Sequence, residues 1–148
     1  MTLKAQILED VKTAMRARDQ KRLTALRLIT AAIKQIEVDQ RIELDDQAVL
    51  AVLDKMVKQR RESLAQYESA DRPDLAEQEQ FELDLISVYL PEALSDEEVA
   101  ALIKQAIADT GASSIRDMGA VMNKLRGEVQ GRADMKAVSS TVKAQLGA

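Results

Sequence analysis

Apolar residues recur at three- and four-residue intervals through almost the whole chain, and no segment shows the strict alternation of a half-buried strand. An all-α fold is the expectation that follows. Leu3, Ile7, Leu8, Val11 and Met15 form the first stripe, on a helix running from Thr2 to near Arg18. Asp19 is placed to cap a second helix, whose stripe is Leu23, Leu26, Ile29, Ile33 and Ile36, with a polar turn after Val38. A third helix starts near Asp45 or Asp46 and carries Val49, Leu50, Leu53, Met56, Val57, Leu64 and Tyr67. The polar run Ser69 to Arg72, followed by Pro73, supplies a stop and a fresh start, and Leu75 to Leu90 reads as a fourth helix.

Leu90-Pro91 is the sharpest boundary, because the residue before a proline is pushed out of the helical region of backbone space. The sequence is therefore expected to divide into an N-terminal subdomain, residues 1–91, forming a hairpin or bundle of about four helices, and a small three-helix subdomain, residues 95–148. The latter opens on Ser95-Asp96-Glu97-Glu98, a capping box in which hydroxyl and carboxylate satisfy helix-start donors reciprocally. Val99, Leu102, Ile103, Ala106 and Ile107 follow as its buried face, and Gly111 can close the helix in the left-handed conformation. Ser113 or Ser114 opens the next, with Met118, Val121, Met122 and Leu125 inward. Gly127 and Gly131 bracket a short segment where this helix is expected to fray, break or admit another backbone. The last helix runs from about Ala133 to Leu146. So short a stretch builds only a small core, which suggests that it docks on the front of the chain or on a partner.

The missing residue types narrow the chemistry. Without cysteine there is no disulfide, thiolate nucleophile or thiolate metal ligand, and without histidine the chain lacks the side chain that titrates near neutral pH unaided. No metal and no cofactor are expected. With Tyr67, Phe81 and Tyr89 as the only aromatic residues, a platform stacking successive bases is not expected. Ser140-Thr141-Val142-Lys143 matches the S-x-x-K pattern, but its companion elements are absent, and the two serines read as the polar side of the last helix. Glu77, Glu79, Glu82 and Asp84 lack the glycine-bearing loop of a calcium site and read as a solvated face. No signal peptide pattern and no run of membrane-spanning length is visible, which with the lack of cysteine gives the cytoplasm as the expected location and no membrane as a partner.

Charge is distributed unevenly around its net value of −4. Residues 1–36 carry eight bases against three acids, residues 37–111 carry seven against nineteen, and residues 112–148 carry six against three. Arg16, Arg18, Lys21, Arg22 and Arg27 gather at the junction of the first two helices, where they oppose a helix dipole and are also available to phosphates. In the tail, Lys136 and Lys143 are seven residues apart and so nearly superimposed on a helix, with Arg132 close to the same line. Val138, Val142 and Leu146 take the other side, and Lys124 and Arg126 lie just upstream. Arg132, Lys136, Lys143, Lys124 and Arg126 are the candidate RNA-binding residues; charged-out, apolar-in is also what any surface helix does.

Gly111-Ala112-Ser113-Ser114, Asp117-Met118-Gly119-Ala120-Val121-Met122 and Gly131-Arg132-Ala133-Asp134 resemble the tail motif of the GatB/YqeY family. Ala14 to Arg18, Leu26 to Ile29, Lys58 to Ser63 and Tyr89-Leu90-Pro91 are similar to its stand-alone members, so the resemblance covers nearly the whole chain. It implies two helical parts, the second resembling the tail domain with which the B subunit of the glutamine-dependent aminoacyl-tRNA amidotransferase helps hold tRNA. Gly119, Met122, Gly131, Arg132, Asp134 and Lys136 match the motif, with Gly119 permitting close helix approach, Met122 in the core, and Arg132 and Lys136 exposed. Asp134 reads as an early-helix residue. Met135 stands where many relatives carry glycine, which suggests an earlier start to the last helix.

The expected function is that of a non-catalytic accessory of translation that binds tRNA through its basic tail. The alternative is a helical module docking on an amidotransferase or an aminoacyl-tRNA synthetase. A carbon-nitrogen ligase using glutamine as amido donor follows from the family label alone, and no catalytic residue is assigned.

Overall fold

A computed structural model describes residues 1–147. Among them the regular elements are all helical: α1 (Leu3–Arg16), α2 (Gln20–Gln40), α3 (Asp46–Ser69), α4 (Pro73–Ser87), α5 (Asp96–Thr110), a 3-10 turn (Ile115–Asp117), α6 (Met118–Val129) and α7 (Met135–Gly147). The chain separates into two compact units, Met1–Leu90 and the residues from Pro91 onward.

Local chemistry sets most of the helix starts. Thr2 accepts from the Ala5 N–H at 3.1 Å, Asp19 from Arg22 at 3.2 Å and Asp45 from Ala48 at 2.9 Å, each satisfying one donor that has no partner within the helix. Ser95 and Glu98 form the reciprocal capping box. Pro73 occupies the first turn of α4, where its missing N–H costs nothing; the helix therefore starts two residues before the expected Leu75 and stops at Ser87.

The stops are less conventional. Arg18, Arg41 and Asp71 adopt left-handed conformations with φ of 56, 55 and 54°. After α1 the Arg18 N–H donates to the Met15 carbonyl at 3.1 Å and Asp19 to Ala14 at 3.0 Å; after α3 Asp71 donates to Glu68 at 3.2 Å and Arg72 to Tyr67 at 2.9 Å. Both are Schellman closures built without glycine. Gly111 closes α5 in the same region, with φ 65°.

In the first unit Ile7, Leu26, Ile29, Val49, Leu53 and Ile86 are the most deeply buried side chains, with Tyr89 completing the same core. Leu8 and Met15, expected inward, are instead 44% and 50% exposed, because Ile7, Ala14, Leu3 and Val11 already fill the buried side of α1. The second unit packs Ile103, Ala106, Val121, Leu125, Val129, Val138, Val142 and Leu146 together. The break expected between Gly127 and Gly131 falls at Gln130, and no other backbone comes close at Gly127, where a Cβ would meet nothing within 4 Å. α6 continues to Val129, whose burial holds its last turn in place. No close approach occurs at Gly119 either, since a Cβ there would meet nothing within 4 Å.

Candidate nucleic-acid interface

α7 is oriented by its apolar stripe. Val138, Val142 and Leu146 are buried against α5 and α6, which leaves Lys136 and Lys143 exposed along one side of the helix. Seven residues of helical rise separate them by about 10 Å.

Asp134 fixes where α7 starts. Its carboxylate accepts from the Lys136 N–H at 3.0 Å and its carbonyl from Val138 at 3.0 Å, so it stands as the residue before the helix rather than inside the first turn. The helix begins at Met135, later than Ala133, because Gly131 takes the left-handed position (φ 77°) that ends the preceding turn. Met135 needs no such conformation and packs against the core.

Arg132 also has a partner within its own unit. It is half-buried, its Nε donates to the Glu92 carbonyl at 3.0 Å, and its own carbonyl accepts from Leu94 at 2.8 Å. These two bonds tie the segment before α5 to the turn before α7. Lys124 and Arg126 leave opposite sides of α6, as residues two apart on a helix must. Lys124 approaches Asp109 on α5 at 3.8 Å, while Arg126 is exposed. Of the five residues, Lys136 and Lys143 thus share a face, Arg132 braces its base, and Lys124 is partly occupied by an acid.

Two nearby carboxylates are turned to the backbone. Asp117 accepts from the Ser113 and Ser114 N–H groups at 2.9 and 3.2 Å, which holds its carboxyl below the ordinary range, and Asp134 caps α7. Positive potential at Lys136 and Lys143 is correspondingly less offset by direct pairing.

The basic cluster of the first unit is largely engaged. Arg16 pairs with Glu9 at 3.5 Å, the Lys21 ammonium lies 4.3 Å from the Phe81 ring centre, and Arg27 reaches the Met15 sulfur at 3.9 Å. Arg22 is half-buried close to the hydrogen bond that the Tyr89 hydroxyl donates to Asp10; burial first, then that carboxylate, pushes the Tyr89 phenol well above its usual range.

The acidic stretch on α4 is not uniformly solvated. Glu82 pairs at 3.3 Å with Arg60 of α3, both side chains only 14% exposed, and Glu79 beside them is raised by burial and by the Glu82 charge. Glu77 and Asp84 are exposed. Among the described residues no group of acids is disposed to hold a metal, and no helix is long and apolar enough to cross a membrane. Ser140 and Lys143 both stand exposed on α7.

Residues 4–146, nearly all of the chain, match the family described as Yqey-like protein. The chain belongs to that family. Several YqeY-like relatives carry the name altered inheritance of mitochondria protein 41, mitochondrial. The one from Pyrenophora tritici-repentis is 30% identical over 142 residues, covering 94% of this chain and 78% of its own length. That from Eremothecium gossypii is 42% identical over 101 residues, covering 66% and 55%, and that from Kluyveromyces lactis is 36% identical over 109 residues, covering 71% and 58%. The match thus spans little more than half the length of the latter two. These names overturn the cytoplasmic location expected from composition. A lack of cysteine removes disulfides wherever a chain resides and does not select the compartment.

Proposed function

We propose that this YqeY-like protein is a non-catalytic accessory of translation that binds tRNA through the cationic side of its second unit. The observation that supports this reading most is the exposed pair Lys136 and Lys143, aligned on one side of a helix whose other side is locked into the core. Duplex RNA offers proteins mainly phosphates and 2′-hydroxyl groups, which two ammonium groups on a rigid helix can meet without aromatic stacking. Arg126 is a further phosphate contact in this reading, and Arg132 positions the face rather than touching RNA. The resemblance of this unit to the tail domain of the amidotransferase B subunit points the same way.

The test is a fluorescence anisotropy titration of labelled tRNA at increasing salt, with the intact protein and a Lys136→Ala, Lys143→Ala variant. Saturable binding that weakens in the variant supports the reading. Absence of saturable binding at low salt removes it in favour of docking on an amidotransferase or a synthetase.

A further inference from the structure

The second half of α3 and the first half of α4 stand off the core of the first unit. Between Val57 and Phe81 no side chain among the described residues belongs to that apolar cluster, whether buried or packed against it. α3 nonetheless runs on from Lys58 to Ser69, about 18 Å of helix, before the chain turns at Asp71 and returns along α4. A cleft of about 430 Å³ opens at the tip of this two-helix arm. The half-buried Leu64 and Ala76 form its apolar base, and Glu68, Asp71 and Glu77 stand exposed on its rim.

The tip carries charge of one sign. Residues 62–80 hold six acids against one base, Arg72. That guanidinium is taken by Asp74, to which its Nη2 and Nε donate at 3.1 and 3.2 Å. Glu68, Asp71 and Glu77 make no ion pair among the described residues. Toward the core, Arg60 is held by Glu82 at 3.3 Å, and Arg61 stands two helical turns before Glu68, about 10 Å away, where salt already screens it. The rim carboxylates are not gathered as ligands either, since no group of acids among the described residues is placed to hold a metal ion. The cleft therefore offers dispersed negative charge around an apolar base.

We propose that this cleft receives an arginine-bearing basic segment of a partner protein. Dispersed carboxylates suit a polypeptide with several cationic side chains, whereas a metal ion needs its ligands converged on one point. Leu64 and Ala76 accept the methylene stem of an arginine, and the planar guanidinium at its end can pair with both oxygens of a rim carboxylate. Nucleic acid and anionic lipid are repelled by the same rim. The inference is independent of the tRNA reading, since Lys136 and Lys143 lie in the other unit.

The probe is an end-blocked peptide of about 12 residues alternating arginine with alanine, titrated into the full chain by isothermal calorimetry. A second peptide carries glutamate in place of each arginine. The arginine peptide should bind saturably, and the double variant Glu68→Gln, Glu77→Gln should weaken it about tenfold. The double variant Glu97→Gln, Glu128→Gln removes the same charge at exposed sites of the other unit and should leave the affinity unchanged. Glu68→Lys with Glu77→Lys should reverse the preference toward the glutamate peptide, a gain that misfolding cannot produce, and circular dichroism checks each variant independently. No saturation by the intact protein at about 1 mM peptide overturns the proposal, as does equal affinity for the two peptides. Equal weakening by the Glu97 and Glu128 changes would reduce the attraction to the overall acidity of the chain and overturn it as well. Binding of spermine as tight as that of the arginine peptide would assign the cleft to a small polycation instead. A dimer in sedimentation equilibrium that Glu68→Lys with Glu77→Lys dissolves would assign it to a second copy of the chain.

Discussion

The Arg132 guanidinium donates through Nε to the carbonyl of Glu92, forty residues earlier in the chain, at 3.0 Å. Together with the bond from the Leu94 N–H to the Arg132 carbonyl at 2.8 Å, it fixes the entrance to α5 against the entrance to α7. A residue that sequence places among RNA contacts is thereby also a brace between two helix entrances.

Replacing it by alanine should therefore act on stability. Arg132→Ala removes one charge-assisted bond and should cost about 1.5 kcal/mol, read as a lower thermal midpoint by circular dichroism. Arg132→Lys should recover little, because an ammonium cannot reproduce the reach and plane of the guanidinium. An unchanged midpoint with lost tRNA binding would make Arg132 a phosphate contact after all.

The double variant Lys136→Ala, Lys143→Ala should behave in the opposite way. Both side chains are exposed, so the thermal midpoint should stay within about 0.5 kcal/mol of the parent in stability. The slope of log affinity for tRNA against log salt should flatten by about 0.7 to 0.9 for each lost contact. A slope equal to that of the parent would move the RNA face elsewhere, with Arg126 the next position to test.

Acid sensitivity should be traceable to Glu37. Its carboxylate accepts from Lys4 at 2.8 Å and from the Leu44 N–H at 2.9 Å, and these contacts, the Lys4 one first, lower it from the ordinary 4.5. A carboxyl depressed in the folded state contributes stability that is fully present above the unfolded value and disappears as pH falls through the folded one. Glu37→Gln should thus lower the thermal midpoint near neutrality and flatten its decline below about pH 4.5. Superimposable midpoint curves for the two proteins in that range would show that the pairing does not exist in solution.

Arg41 closes α2 at φ 55° and ψ 44°, a conformation costing an ordinary L-residue about 1 kcal/mol more than glycine. Arg41→Gly should consequently stabilise the protein by up to about 1 kcal/mol in urea unfolding, with an unchanged denaturant slope. A loss of stability would show that the arginine side chain contributes more than the backbone strain removes.

Sequence was a good guide wherever a structural cause lies within a few residues. Asp19, Asp45 and Ser95 announce helix starts because the donor they satisfy is three positions away, and Gly111 announces a stop because it enters the left-handed region without a Cβ clash. Where a polar residue performs the glycine's task, as Arg41 and Asp71 do, only the loss of apolar periodicity marks the end. Gly127 and Gly131 bracket the end of α6, and the burial of Val129 carries the helix past the mid-helix glycine to the last residue before Gln130. In the candidate site, Lys136 and Lys143 could be read from their spacing on α7. The bracing by Arg132 and the Arg60–Glu82 pair could not, because each joins residues that only the folded topology brings together. Leu8 and Met15 belong to the same apolar stripe as Ile7 and Val11, and periodicity does not say how wide a stripe the neighbouring helix will cover.

The first interior is assembled wholly from side chains that precede Pro91, and the second wholly from side chains that follow it. A gene segment encoding the second alone would carry every residue of its apolar cluster, so recombination could append it to an unrelated polypeptide without redesigning its inside. Its presence as a terminal piece on a larger protein would then be a matter of cut and join, with adaptation confined to the outward-facing positions.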